Sequence, residues 1–104
     1  MTDLIQHIRD QKEFSEKTFG PYQKTSGIID HIRKELVEIE RDPCDLSEWI
    51  DVVILALDGA WRAGYSPEEI AAGLEEKHRI NKARKWPDWH TADPDKAIEH
   101  IKDD

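Results

Sequence analysis

Apolar residues recur along most of the chain at spacings of three and four, which is the period of an α-helix. No stretch alternates with the period of two that is typical of a β-strand, and no internal repeat or low-complexity tract is present. The second segment has the best-defined stripe, formed by Ile28, Ile32, Leu36 and Ile39. The pattern predicts an all-α bundle of four main helices and a short C-terminal helix.

Helix start and stop signals divide the chain into these segments. Thr2 is a candidate cap for the first helix, which Gly20 and Pro21 should end. The second helix should end near Pro43, because the residue before a proline is disfavoured in a helix. A short connection then leads into the third helix, so the second and third helices are predicted to form a hairpin.

The third helix has a start signal of the form D-x-x-E, in which Asp45 is the N-cap residue and Glu48 the N3 residue of a capping box. Its sequence is apolar almost all round from Val52 to Leu57, so we expect it to be the most buried element. Gly64 is expected just beyond its end.

The fourth helix should begin at Ser66, because a capping serine is followed there by Pro at N1 and Glu at N3. It should continue towards Arg84 and stop before Trp86-Pro87. The short fifth helix is predicted to open at Asp93-Pro94 and to run through Ile98 and Ile101.

The chain has 104 residues, of which 38% are hydrophobic, so residues 1–104 are predicted to form one small domain with a modest core. Four tryptophans in so short a chain suggest that burial is completed by a second copy. We therefore expect a homodimer or homotetramer.

The net charge of −8 would repel a nucleic-acid backbone, so nucleic-acid binding is not expected. Divalent cations are the ligands expected to balance this negative charge. Cys44 stands alone and cannot form an intramolecular disulfide. Neither a signal-like segment nor an apolar run of membrane-spanning length is recognisable in the sequence. These features predict a cytoplasmic protein that does not bind membranes.

Two pairs of carboxylates flank the predicted turn between the second and third helices. Residues three apart on a helix lie about 60° apart around its axis, so the members of each pair can converge on one point. The pairs are Glu35 with Glu38 and Glu48 with Asp51. Four carboxylates at close range either take up protons or hold hard cations, and Mg²⁺ is the first candidate, although such pairs also occur on solvated helix faces.

A basic stripe follows on the fourth helix, where Lys77, Asn81 and Arg84 recur at spacings of four and three. An ammonium, an amide and a guanidinium on one face can bind a phosphate chain, and basic residues there also offset the helix macrodipole. Together with the carboxylate pairs, the stripe favours a nucleotide as ligand.

These motifs, in this order, resemble the MazG-like all-α nucleotide pyrophosphohydrolases, and most closely their small dATP/dGTP pyrophosphohydrolase branch, which is often found in phage genomes. The resemblance extends from Phe14 to about Trp89. Its motifs are Thr18-Phe19-Gly20-Pro21, His31 to Glu38, Asp45 to Asp51, the stripe of Lys77, Asn81 and Arg84, and Trp86-Pro87.

The resemblance implies that Glu35, Glu38, Glu48 and Asp51 ligate two or three Mg²⁺ or Mn²⁺ ions, and that Lys77, Asn81 and Arg84 bind phosphate. The ions would polarise the phosphate chain of a purine deoxynucleoside triphosphate, dGTP or dATP, with GTP as a further candidate. Water would be the nucleophile, oriented or deprotonated by Glu35 or Glu38. The products would be a nucleoside monophosphate and pyrophosphate, formed in the host cytoplasm if a phage encodes the protein.

A nucleobase needs a flat apolar surface and a few polar groups. The candidates are His31, Phe14, Phe19, Trp49, Trp86 and Trp89, and Trp86 and Phe19 are favoured because they adjoin the family motifs. Phe14 stands where close relatives are expected to carry a Trp, so the choice of base stays open.

Three alternatives to a purine nucleotide pyrophosphohydrolase are compatible with the sequence. A di-iron bundle would need two E-x-x-H motifs, and the sequence has one, at Glu75 to His78. A non-enzymatic nucleic-acid or partner-binding module would use the basic aromatic stretch from Lys77 to Trp89. Within the enzyme class, dUTP or a non-standard nucleotide could be the substrate.

Overall fold

The computed structural model of the chain describes residues 3–102. Its helices are α1 (Leu4–Phe19), α2 (Thr25–Arg41), α3 (Leu46–Arg62) and α4 (Pro67–Ala83), followed by one turn of 3₁₀ helix at Trp89–Thr91. Residues 3–102 contain no strand, so the predicted all-α class with four main helices is confirmed. Oligomerisation and the extent of the domain stay predictions.

The helix ends follow from local capping. Thr2 lies outside the described residues, and Asp3 caps α1 by accepting a hydrogen bond from the Gln6 N–H at 2.8 Å. At the start of α4, the Ser66 hydroxyl accepts from the Glu69 N–H and the Glu69 carboxylate accepts from the Ser66 N–H, which completes a capping box. Gly64 has a φ of +108°, so the predicted glycine beyond α3 is confirmed.

The chain forms two compact units, one ending at Ala72 and one beginning at Gly73. In the first unit, α2 and α1 both pack against α3. Its buried apolar side chains are Ile8, Ile39 and Trp61. So small a core fits the modest burial predicted for a chain of this length.

The prediction that α3 is the most buried element is confirmed, because more of its residues are buried or half-buried than in any other helix, and both α1 and α2 pack against it. Its burial is nevertheless incomplete in the single chain. One face of α3 is apolar and exposed, and it consists of Leu46, Trp49, Ile50 and Val53. Val53, for example, is 51% exposed. At about 100° per residue, Asp51 and Asp58 fall on the other side of α3, the side against which α1 and α2 pack.

The second unit corrects the prediction for the fifth helix. Residues 93–102 form no helix, and the short helical turn lies earlier, at Trp89–Thr91. Asp93 accepts a hydrogen bond from the Asp95 N–H through its side chain, which forms a local turn instead of a helix start. The Ile101 N–H donates to the Lys85 carbonyl at 2.8 Å, so this segment is bonded to a distant residue rather than within a helix.

No helix among residues 3–102 is both long and apolar enough to cross a membrane.

Candidate metal centre and its cavity

Three of the four predicted metal ligands converge in the structure. Glu35 lies on α2, and Glu48 and Asp51 lie one turn apart on α3. Each of the three offers a carboxylate oxygen, and these oxygens all lie within 4.8 Å of one another. The α2–α3 hairpin therefore brings together carboxylates from both sides of its turn, as their spacing predicts.

The fourth predicted ligand, Glu38, lies outside this group of three. Its carboxylate is 3.6 Å from the guanidinium of Arg41, three residues later on α2. Glu38 nevertheless contributes negative charge near Glu48. Its role as a metal ligand stays a prediction.

Crowding of acidic groups changes the titration of Glu48. Partial burial raises the pKa of Glu48 above its ordinary value, and a hydrogen bond to Glu35 and the charges of Glu35, Asp45 and Glu38 raise it further. The group is thus arranged at an electrostatic cost that a bound cation would remove.

The sequence gives Glu48 two roles, as the N3 residue of a capping box and as a metal ligand, and the local structure favours the second. Asp45 caps α3, since its side chain accepts from the Ser47 N–H at 2.9 Å. The Asp45 N–H donates to the Asp42 carbonyl instead of to the Glu48 side chain. Asp45 is therefore the N-cap residue as predicted, but the reciprocal capping box with Glu48 does not form, and the Glu48 carboxylate lies beside Glu35 instead.

The donor set fits a hard divalent cation. All three groups are carboxylates, which are the ligands that Mg²⁺ and Mn²⁺ prefer, and no soft sulfur ligand is among them. Asp51 is exposed, while Glu35 and Glu48 are half-buried. The centre therefore has an open side from which waters and phosphate oxygens can complete the coordination.

A cavity of about 580 Å³ adjoins the carboxylates. Glu35 and Asp51 form part of its wall, together with the aromatic rings of Phe14 and Phe19 and the imidazole of His31. The apolar part of the wall also includes Ile28, Ile54 and Leu55. Phe14, Phe19 and His31, three of the candidates for contact with a base, thus lie beside the predicted metal ligands.

The two phenylalanine rings pack edge to face, with their centroids 6.2 Å apart. Both side chains are more than half exposed, so a bound molecule could cover them. His31 lies with its Nε2 3.4 Å from a carboxylate oxygen of Glu35, one helical turn away. The cavity thus combines a flat apolar wall with a few polar groups.

Sequence reasoning missed a buried polar network beneath this cavity. The Arg62 side chain is 2% exposed, and its Nε lies 4.0 Å from the carboxylate of Asp58. Asp58 also accepts hydrogen bonds from the side chains of Gln11, Ser15 and Trp61. The available signal was an Asp and an Arg four residues apart on the most apolar helix.

The basic stripe lies in the second unit, at the end of α4. The guanidinium of the half-buried Arg84 donates to the Asn81 side chain at 3.0 Å, and the Trp86 indole N–H donates to the Asn81 carbonyl at 2.7 Å. Lys77 takes part in no hydrogen bond or ion pair within residues 3–102. The binding of phosphate by Lys77, Asn81 and Arg84 stays a prediction.

The remaining aromatic candidates have other neighbours. The indole N–H of Trp49 donates to the Pro43 carbonyl at 2.9 Å, on the exposed face of α3. Trp89 stacks on His90, with a centroid distance of 3.8 Å, in the second unit. Neither residue contributes to the wall of the cavity beside the carboxylates.

Comparison with known proteins gives one family and one curated relative. A family model described as dATP/dGTP pyrophosphohydrolase matches residues 7–104. The chain is 39% identical over 86 residues to the "Eaa protein" of Salmonella phage P22. That match includes 83% of this chain but 27% of the phage protein, so the chain spans about a quarter of the relative's length. No solved structure matches the chain.

Proposed function

Because its residues 7–104 match the family model, the chain belongs to the dATP/dGTP pyrophosphohydrolase family, and we propose that it hydrolyses purine deoxynucleoside triphosphates to the nucleoside monophosphate and pyrophosphate. The substrates proposed are dGTP and dATP, with GTP as a further candidate. The resemblance recognised in the sequence is thereby confirmed at the level of the family.

One observation carries the proposal. The carboxylates of Glu35 and Asp51 and the rings of Phe14 and Phe19 line the same cavity. A nucleoside triphosphate presents a polyanion at one end and a flat base at the other, and it needs cations for the first and an apolar surface for the second. A cavity of about 580 Å³ is within the range of small-ligand sites.

We propose that Glu35, Glu48 and Asp51 hold Mg²⁺ or Mn²⁺, two or three ions with the substrate bound, and that Glu38 completes the ligand set. When bound, such ions neutralise charge on the phosphate chain and on the leaving pyrophosphate. The raised pKa of Glu48 supports this assignment, because the cluster is unfavourable while all its members are charged and unpaired.

The attacking water is assigned to Glu35 or Glu38, which would orient it or take its proton. Glu35 is favoured because it lines the cavity, and its side chain is 16% exposed. Glu38 does not line the cavity, and Arg41 lies beside its carboxylate. Glu38→Gln keeps the shape of the side chain and removes its charge, so near wild-type turnover of that variant would exclude Glu38 as an essential ligand.

For the base, we propose contact with Phe14 and Phe19 and a polar contact with His31. The two edge-to-face rings are each more than half exposed and together form an aromatic surface that suits a purine. Lys77, Asn81 and Arg84 are proposed to bind the phosphate chain and Trp86 to contact the substrate, on the basis of their positions in the family motif and of their chemistry.

The active protein is proposed to be a homodimer or homotetramer in the cytoplasm, of a host cell if a phage encodes it. The exposed apolar face of α3 supports association with a second copy, because Trp49, Ile50 and Val53 remain between 43% and 51% exposed in the single chain. This face lies on the side of α3 opposite Asp51 and Asp58, so a partner there would leave the cavity open.

The test is a panel of dGTP, dATP, GTP, dUTP, dCTP and dTTP, each incubated with the protein and either Mg²⁺ or Mn²⁺, followed by separation of the products. The proposal expects the purine deoxynucleotides to give monophosphate and pyrophosphate only when the metal is present. Release of orthophosphate with a diphosphate product, or absence of turnover across the panel, would contradict it. Preferential cleavage of dUTP would contradict the proposed purine specificity and would indicate a pyrimidine nucleotide as the substrate.

A further inference from the structure

The side chain of Arg62 joins three parts of the first unit. It is 2% exposed, and its Nη1 donates to the carbonyl oxygens of Gly20 at 2.8 Å and Tyr22 at 2.6 Å. Its Nη2 donates to the Ser15 hydroxyl at 3.0 Å and contacts the Ser15 carbonyl at 3.5 Å. One guanidinium on α3 thus holds both α1 and the connection between α1 and α2.

The charge of Arg62 is balanced within the same network. Asp58 lies 4.0 Å from its Nε, and the Arg62 guanidinium lies 4.3 Å from the centre of the Trp61 ring. The Asp58 carboxylate accepts from Ser15 at 2.5 Å, from Gln11 at 2.7 Å and from Trp61 at 3.0 Å. A buried ion pair is stable in such a setting because its remaining hydrogen-bonding groups are satisfied.

Arg62 and Asp58 both touch the wall of the cavity, but most of their hydrogen-bonding groups already have partners inside the protein. The two Nη atoms of Arg62 have acceptors, and both oxygens of Asp58 have donors. A base that bound the Nη atoms of Arg62 would have to displace these bonds. The network therefore affects the cavity indirectly, because it fixes α1 and the connection between α1 and α2.

The part of the wall that depends most on this network is Phe19. Phe19 is the last residue of α1, four residues after Ser15, and it precedes Gly20, so Arg62 bonds to the chain on both sides of it. The Phe19 ring touches Phe14 edge to face but is 58% exposed, so core packing does not hold it. Its position follows the backbone at Gly20.

We propose that Arg62 is a positioning residue that fixes the connection between α1 and α2 and thereby places Phe19 in the wall of the nucleotide cavity. The proposal rests on the proposed function as far as a nucleotide is the occupant. Loss of the network should weaken binding of the base more than it slows cleavage, because the carboxylates come from α2 and the first turns of α3. KM should rise about tenfold while kcat changes less than about twofold.

The test uses Arg62→Lys, which keeps the charge opposite Asp58 but cannot reach the carbonyls of Gly20 and Tyr22 and the Ser15 hydroxyl together. The matched control is Arg9→Lys, the same substitution at an exposed arginine of α1 that pairs with Glu68. If Arg62→Lys does not fold, as judged by circular dichroism, Ser15→Ala replaces it, since it removes one member of the same network. Ser15→Ala should change KM in the same direction by a smaller factor.

A second readout does not depend on activity. The chain contains two phenylalanines, Phe14 and Phe19, so biosynthetic labelling with fluorophenylalanine gives two ¹⁹F resonances that Phe14→Leu assigns. In Arg62→Lys, the Phe19 resonance should shift or broaden while the spectrum of Arg9→Lys matches the wild type.

An unchanged Phe19 resonance in the folded network variant would overturn the proposal, whether or not the protein turns over nucleotides. A fall in kcat with KM unchanged would also overturn it, because it would indicate contact with the reacting groups. If the wild type hydrolyses no nucleotide, the proposed function fails and the ¹⁹F spectrum still decides whether Arg62 positions Phe19.

Discussion

The carboxylates of Glu35 on α2 and Glu48 on α3 lie within 4.8 Å of each other across the hairpin, with Asp51 beside them. Like charges at this separation are unfavourable unless a proton or a cation intervenes. The raised pKa of Glu48 is the first of these responses, and metal binding is the second.

Divalent metal should stabilise the folded protein through this cluster. A ligand that binds the folded state alone adds about 2.7 kcal/mol to the free energy of unfolding when its concentration is a hundred times Kd. The melting temperature should therefore rise with added Mn²⁺ in the wild type, and most of this rise should disappear in Asp51→Asn. Asp30→Asn is the control, since Asp30 lies on α2 with an ion pair to Lys34 and outside the cluster. An equal rise in both variants would exclude Asp51 as a ligand.

Stability without metal should depend on pH through Glu48. Its carboxyl has an ordinary pKa of 4.5 in the unfolded chain and a higher pKa in the folded protein. Its stabilising contribution is therefore fully present below 4.5 and is lost as the pH rises through the folded pKa. Glu48→Gln removes this titration, so urea denaturation in a chelator should show the wild type losing stability relative to the variant from acid to neutral pH. A difference that stays constant with pH would contradict the shift.

Much of the helical framework could be predicted because helix ends depend on neighbouring residues. The capping groups at Asp45, Ser66 and Gly64 each act within a few residues, and the structure places them as the sequence predicts. The same local logic failed at Asp93, where the side chain forms a turn and Ile101 bonds to Lys85. Two apolar residues were too few to hold a helix there against that alternative.

The candidate site was predictable in part for a similar reason. The convergence of Glu35, Glu48 and Asp51 follows from two spacings and one short turn. The network of Arg62 joins residues about 40 or more positions apart, and no local pattern specifies such partners. Arg41, three residues after Glu38, is an ion-pair partner at helical spacing that competes with a metal ion for this carboxylate.

Gly20 should be sensitive to substitution for conformational reasons alone. Its φ is +93°, and a Cβ at this position would meet no atom within 4 Å, so Gly20→Ala adds backbone strain without a clash. We expect a loss of about 1 kcal/mol in the free energy of unfolding. Gly73→Ala, in the middle of α4 and equally free of neighbours, should stabilise by about 1 kcal/mol. Thermal melts of both variants test the opposite signs, and destabilisation by both would contradict this account.

The apolar face of α3 should carry an interface between copies. Val53→Glu places a charge in the middle of this face, where Trp49 and Ile50 are its neighbours, and should reduce the mass in solution to that of a monomer. Light scattering coupled to gel filtration measures this change. Ser26→Glu, which adds the same charge at an exposed position in the first turn of α2, should leave the mass unchanged. A monomeric wild type would refute the prediction directly.

The most direct test of the central claim, that the carboxylate cluster performs metal-dependent cleavage of a nucleoside triphosphate, is the rate of pyrophosphate release from dGTP in the presence of Mg²⁺. The wild type and Asp30→Asn should release pyrophosphate at the same rate, and Asp51→Asn should be slower by at least about a hundredfold. A rate for Asp51→Asn within about twofold of the wild type would contradict the claim.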